Sequence, residues 1–148
     1  MMTLANDFIA RFIGSWSLVT WTSTSPDGQT QYPFGEDAVG YLFYTEDGHM
    51  AAHLMRRQRP NFSSYDMMAG TPEERAAAYL DHFSYCGRYT VQQNAETVTH
   101  HVQGSSAPNW VGSDQVRTFR FSDDSLTLCA ASPDGSRHVV GMETQLTA

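Results

Sequence analysis

The chain has 148 residues, a formal net charge of −7 and 41% hydrophobic residues, which suits one domain with its own core. This acidic balance argues against nucleic acid or an anionic membrane as partner, because both select a basic face. All nine basic residues are Arg, which excludes Schiff-base chemistry on a lysine. Two widely spaced cysteines, no basic leader and no long apolar stretch predict a cytoplasmic protein without signal peptide or transmembrane segment.

The first predicted element is a short amphipathic helix at about 4–13, followed by Gly14-Ser15-Trp16. A glycine allows a sharp change from helix to strand, and the tryptophan can close one end of a small barrel. Turn signals then separate runs rich in β-branched and aromatic residues. They predict eight strands, at 15–24, 38–45, 49–56, 85–92, 97–103, 115–121, 125–131 and 137–146.

A second helix is predicted at about 72–83. Thr71 is its N-cap, Pro72 its first residue and Glu74 completes a capping box. Four apolar residues recur at helical spacing and form one apolar face; they are Ala76, Tyr79, Leu80 and Phe83.

The lengths of the connections orient the predicted barrel. In an up-and-down meander alternate connections share one end, and those at 25–37, 57–84 and 104–114 are all long. The connections between them are tight turns at the end where Trp16 lies. The sequence therefore predicts an all-β, eight-stranded antiparallel barrel with a closed bottom, a loop-rich mouth and the second helix near that mouth.

These elements resemble the bacterial and fungal lipocalin-like domain family, single small barrels of the calycin type, over about residues 12–145. The resemblance is carried by Phe12-Ile13-Gly14-Ser15-Trp16, Tyr32-Pro33-Phe34-Gly35, Val39-Gly40-Tyr41-Leu42, Thr71-Pro72-Glu73-Glu74, Gly87-Arg88-Tyr89, Thr99-His100-His101-Val102 and Pro108-Asn109-Trp110-Val111-Gly112. It implies a lipocalin-like barrel that acts as a carrier or as a cofactor-free cyclase or isomerase. The chain departs from secreted lipocalins in having no arginine after its last strand to pack on Trp16.

Four residues are candidates for proton transfer or charge stabilisation: His53, Tyr85, His100 and Arg117. Alternation puts His100 on the apolar face of its strand, as a general base or as a core histidine bonded to a neighbouring hydroxyl or carbonyl. Arg117 shares an inner face with Phe119 and would attract a carboxylate, enolate or phenolate, unless it pairs with Glu36, Asp37 or Asp114. No metal is expected, because His49 and His53 lie about 13 Å apart on a strand.

Five further residues are predicted to contact the ligand. Tyr89 shares the inner face of its strand with Tyr85, and Gln115 shares the inner face of its strand with Arg117. Tyr41 and Tyr44 point to opposite faces, so that one of them can line the cavity. Asn109 and Trp110 lie in a mouth loop, where the tryptophan either clamps a ligand or closes the core of its own loop.

Three functions remain open at this point. The first is binding of a small hydrophobic or aromatic molecule, neutral or anionic, in the barrel. The second is a cofactor-free cyclase, isomerase or lyase that uses His100 and Arg117. The third is an interaction module, since the run from Val39 to Tyr44 is apolar on both faces and predicts a homodimer. None of them calls for a cofactor.

Overall fold

The computed structural model describes residues 8–144, which form one closed antiparallel barrel. Its strands are β1 (Gly14–Thr24), β2 (Thr30–Gln31), β3 (Val39–Tyr44), β4 (His49–Met55), β5 (His82–Gln92), β6 (Thr97–Ser105), β7 (Asp114–Ser122), β8 (Ser125–Ala131) and β9 (Arg137–Thr144). One helix, α1 (Pro72–Leu80), and one 3-10 turn (Pro108–Trp110) interrupt them. From β3 onward each strand pairs with the next, and β1 pairs with both β3 and β9. Eight long strands therefore close the barrel, as predicted.

Two elements differ from the prediction. β5 begins at His82 rather than at 85, because His82 and Phe83 pair with Met55 and Leu54 of β4. The predicted helix consequently ends at Leu80. The two-residue strand β2 was not predicted; it forms a hairpin with Ser23 and Thr24 at the mouth end of β1. The first part of the predicted N-terminal helix and the last part of the predicted final strand lie outside the described residues.

An aromatic plug fills the bottom of the barrel; it comprises Phe8, Phe12, Trp16, Phe119 and Phe121. Phe12 is fully buried, with its ring 4.9 Å from Phe119 and 4.8 Å from Phe121. The Trp16 indole N–H donates to the Phe12 carbonyl at 2.8 Å, which ties the N-terminal turn to β1. Gly14 has a φ of 135°, a conformation that side-chain-bearing residues rarely adopt, and it makes the turn between them.

A cation, Arg11 of the N-terminal segment, packs against the aromatic plug. The Arg11 guanidinium lies 4.4 Å from the centre of the Phe121 ring, and that ring lies 6.1 Å from Trp16. The N-terminal segment therefore places a positive charge against the face of an aromatic ring in the plug.

The helix α1 begins as predicted but does not bury the predicted face. The Thr71 hydroxyl accepts from the Glu74 N–H and the Glu74 carboxylate accepts from the Thr71 N–H, which completes the capping box. However, no residue of α1 is buried, and Leu80 is 72% exposed. Its apolar residues Ala76, Tyr79 and Leu80 are therefore exposed, and Phe83, the fourth residue of the predicted apolar face, belongs to β5 instead.

Candidate functional site

A cavity of about 430 Å³ occupies the mouth half of the barrel. Its walls are mostly aliphatic and aromatic, and small side chains such as Ala52 and Ala130 leave the space open. The residues with polar or aromatic side chains that line it are Trp21, Phe83, Tyr85, His100, Trp110, Gln115, Arg117, Ser132 and His138. The size and the composition match pockets that take a drug-sized organic molecule.

A layer of three hydrogen-bonded side chains separates this cavity from the aromatic plug; we call it the polar floor, and it comprises Tyr44, Tyr85 and His100. The Tyr44 hydroxyl lies 2.6 Å from His100 Nε2, and the Tyr85 hydroxyl lies 2.7 Å from His100 Nδ1. All three side chains are buried, and His100 is only 1% exposed. In the strand register His100 on β6 lies opposite Tyr89 of β5, and the side chains of Tyr44 and Tyr85 reach its ring from β3 and β5.

His100 points inward but is poorly placed for the general-base role that was one interpretation of the sequence. Both ring nitrogens are already hydrogen-bonded to tyrosine hydroxyls. Burial, assisted by the nearby Arg117 charge, lowers the His100 pKa to about 3. The alternative interpretation, a core histidine bonded to neighbouring hydroxyls, describes this geometry. Burial also raises the pKa of Tyr85, and the Arg117 charge opposes that rise.

Arg117 projects into the cavity beside the polar floor. Its guanidinium donates to the Val116 carbonyl at 3.1 Å and to Gln115 Oε1 at 3.5 Å, and it lies 6.0 Å from the Trp110 ring. Among residues 8–144 no carboxylate lies within ion-pair distance of it. Asp37 and Asp114, two partners weighed for it, face Arg57 and His101 instead.

Because the cavity lining contains no Asp or Glu, Arg117 is its one formal charge at neutral pH among the described residues. The two lining histidines are neutral there, since burial lowers the pKa of both. An anionic or strongly polarised ligand group would find its electrostatic partner at Arg117.

Sequence reasoning missed a second polar pair, Trp21 and His138, at the cavity wall. The Trp21 indole N–H donates to His138 Nδ1 at 3.1 Å. Alternation counted from Trp16 would place Trp21 outside, but the β1–β9 register shifts between Leu18 and Thr20 and turns it inward. Only the position of His138 on one face with Val140 and Met142 could have indicated this pair from sequence.

Trp110 is placed where it could contact a ligand, and its role as a ligand clamp stays a prediction. Its ring lines the cavity and also packs against Phe83 at 4.8 Å and Tyr85 at 5.4 Å. The 3-10 turn at Pro108–Trp110 thereby ties the mouth loop to β5. Gln115, on the adjoining wall, donates to the Ser113 hydroxyl at 2.9 Å.

Four candidate residues do not line the cavity. His53 is exposed on the outer face of β4, where its ring lies 5.8 Å from His82, so its assignment to the cavity is wrong. Asn109 is exposed in the mouth loop. The Tyr89 hydroxyl donates to the Thr45 carbonyl at 2.8 Å, near the bottom turn. Tyr44 lies in the polar floor and reaches the cavity only through His100.

The described part of the chain contains neither a candidate metal site nor a helix that could span a membrane. Between residues 8 and 144 no three His, Cys, Asp or Glu side chains converge as a metal site requires. Over the same range no helix has both the length and the apolar character needed to span a membrane.

Several known proteins are similar to this chain. A family model described as a lipocalin-like domain matches residues 13–147. A protein of Aspergillus oryzae named 4'-hydroxy-3'-methoxypropiophenone carrier protein ppsC is 37% identical over an aligned length of 90, and the match covers 57% of this chain and 81% of that protein. Among solved structures, a de novo designed fluorescence-activating β-barrel covers 97% of this chain and is itself wholly covered, at 18% identity and a TM-score of 0.47. A redesigned β-barrel covers 93%, with 94% of its own length matched, at 14% identity and the same TM-score.

The family match extends over nearly the whole chain and coincides with the strands that close the barrel. The predicted resemblance is confirmed, and the chain belongs to the lipocalin-like domain family.

Proposed function

We propose that this protein is a carrier that binds a small aromatic molecule with a polarised or anionic oxygen in its barrel cavity. The observation that carries the proposal is the cavity itself, with apolar walls above the polar floor and one cation, Arg117, that has no carboxylate partner within residues 8–144. The size of about 430 Å³ matches a ligand with one aromatic ring and short substituents.

The related carrier indicates the ligand class to try first. That protein is named for 4'-hydroxy-3'-methoxypropiophenone, a phenol that also bears a ketone. The aromatic ring of such a molecule suits the walls formed by Phe83 and Trp110, and its oxygen atoms suit Tyr85 and Arg117. We call this compound the aryl ketone probe.

The binding test is calorimetric titration of the protein with the aryl ketone probe, followed by chromatography of the recovered probe. We expect saturable binding at one site and unchanged probe. Chemical conversion of the probe would favour the cyclase or isomerase alternative, which nothing in the geometry of His100 supports. The absence of binding to this and related aryl ketones would contradict the proposal.

A matched pair of variants locates the site on β4. Ala52 is buried and lines the cavity, whereas its neighbour Ala51 faces the other side of the strand. Ala52→Phe should fill the cavity and abolish binding, and Ala51→Phe should leave the affinity unchanged. Equal loss in both variants, with both proteins folded by circular dichroism, would place the ligand elsewhere.

The homodimer stays a prediction. The outward rings of Tyr41 and Phe43 stack at 5.8 Å and are 47% and 37% exposed, which supports an apolar contact surface on β3. Light scattering decides it: a mass of one chain would remove this proposal, and a mass of two that Tyr41→Ser halves would support it.

A further inference from the structure

We infer that the polar floor has one fixed proton direction, from Tyr44 through His100 to Tyr85, and that it makes Tyr85 a hydrogen-bond donor to an acceptor oxygen of the ligand. Tyr85 is thus a specificity-determining residue for carbonyl, phenolate or carboxylate oxygen. The part of the inference that concerns the ligand rests on the proposed binding function. The proton direction does not depend on that function.

The direction begins at Tyr44. Its side chain is fully buried, and among the described residues its hydroxyl has one hydrogen-bond partner, His100 Nε2. If Nε2 carried the hydrogen and donated to Tyr44, the tyrosine O–H would be a buried donor with no acceptor. That costs more free energy than donating to a bare ring nitrogen. Tyr44 therefore donates, and Nε2 accepts.

The bond from Tyr44 fixes the tautomer of the His100 ring. A neutral imidazole carries one N–H, and with Nε2 accepting, that hydrogen lies on Nδ1. The partner of Nδ1 is the Tyr85 hydroxyl oxygen at 2.7 Å, which accepts this bond. The low His100 pKa is consistent with a ring that stays neutral across the physiological range.

Tyr85 is left with its own O–H proton and no protein acceptor for it among residues 8–144. The nearest charged group on the cavity side is Arg117, and a guanidinium can only donate. The two side chains therefore present only hydrogen-bond donors to the ligand at the polar floor. An oxygen with two lone pairs satisfies both, whereas an ammonium group, which has only donors and a positive charge, would be rejected.

The proton direction can be tested without any ligand. In protein labelled with 15N-histidine, long-range proton–nitrogen correlation spectra distinguish the ring nitrogen that carries hydrogen from the one that does not. His100 is the signal that disappears in His100→Gln or, if that variant does not fold, the one left after substituting the other five histidines singly. We expect hydrogen on Nδ1. Hydrogen on Nε2, or exchange between the two, would overturn the inference.

The ligand preference is tested with three compounds: the aryl ketone probe, the same molecule with CH2 in place of the carbonyl, and the same molecule with hydrogen in place of the phenol hydroxyl. One of these oxygens is expected to accept the hydrogen bond from Tyr85. In wild-type protein the compound that lacks this oxygen should bind about tenfold more weakly, since that hydrogen bond is lost. The compound that loses affinity identifies whether the carbonyl or the phenol oxygen contacts Tyr85.

Tyr85→Phe should erase that preference, while Tyr89→Phe is the matched control on the same strand face, because the Tyr89 hydroxyl bonds to Thr45 away from the cavity. Equal affinity losses for all three compounds in Tyr85→Phe would show that Tyr85 only packs, and would overturn the ligand half of the inference. If wild-type protein binds none of them, the proposed function fails in this form while the histidine spectra still decide the proton direction.

Discussion

Replacing His100 should change how the stability of the protein depends on pH. In the unfolded chain a histidine titrates near its ordinary pKa of 6.5, whereas burial lowers the folded-state pKa of His100 to about 3. Between these values the unfolded state binds a proton that the folded state does not. The contribution of His100 is therefore fully present above pH 6.5 and is lost progressively as the pH falls toward 3.

The expected size follows from the difference between the two pKa values. Each unit is worth about 1.4 kcal/mol, so the folded protein should lose about 2 kcal/mol of unfolding free energy through His100 between pH 7 and pH 5. Urea denaturation at several pH values in this range measures the loss. His100→Gln removes the imidazole and keeps an amide that can hydrogen-bond to one of the two tyrosines.

The comparison uses the change with pH and not the absolute stability, which the substitution itself lowers. The 16 acidic residues titrate in both proteins and contribute equally to both curves. The wild-type curve should therefore fall more steeply than the His100→Gln curve below pH 6.5, and the two should run parallel above pH 7. Parallel curves throughout would refute the assignment of His100 as a buried neutral imidazole.

Three further substitutions test other parts of the molecule. Arg117→Met should weaken binding of the aryl ketone probe about tenfold and remove any gain in affinity as the phenol ionises, measured by calorimetry across pH; an unchanged pH profile would contradict an anion-binding role. Gly87→Ala would place its Cβ 1.9 Å from the His101 carbonyl oxygen and should cost about 1–3 kcal/mol of unfolding free energy in urea, so a stable variant would exclude this close strand approach. Phe12→Ala should cost about 3–5 kcal/mol because the ring is fully buried, and a loss below 1 kcal/mol would show that the aromatic plug collapses around it.

Much of the barrel was predictable because its signals are local. Tight turns such as Thr45–Gly48 carry their own residue preferences, and the capping box at Thr71 marks the start of α1 without reference to the rest of the fold. Alternation along β6 also predicted that His100 points inward. The difference in loop lengths at the two ends of the meander then gave the orientation of the cavity.

The parts that were not predictable depend on register between distant strands. The irregularity between Leu18 and Thr20 reverses the alternation of β1, and no local residue pattern marks it. On β4 the wholly apolar face carries Met50, Ala52 and Leu54, and His53 lies on the opposite face, so the error at His53 came from not applying to β4 the alternation used for β6. The partners of His100 come from β3 and β5, 56 and 15 residues away in sequence, and their hydroxyls meet the ring only in the closed barrel.

The polar floor divides the barrel interior into two regions with different physical roles. Below it, aromatic rings pack against one another, and no buried side-chain nitrogen or oxygen of the described residues lacks a hydrogen-bond partner; the Trp16 N–H, for example, donates to the Phe12 carbonyl. Above it, Arg117 has no carboxylate partner among the described residues, and small side chains leave the space unfilled. Such a region contributes little to the stability of the free protein. Its side chains make their main additional contacts when a ligand enters it. Substitutions below the floor should therefore act mainly on unfolding free energy, and those above it mainly on affinity, with His100 the residue that affects both.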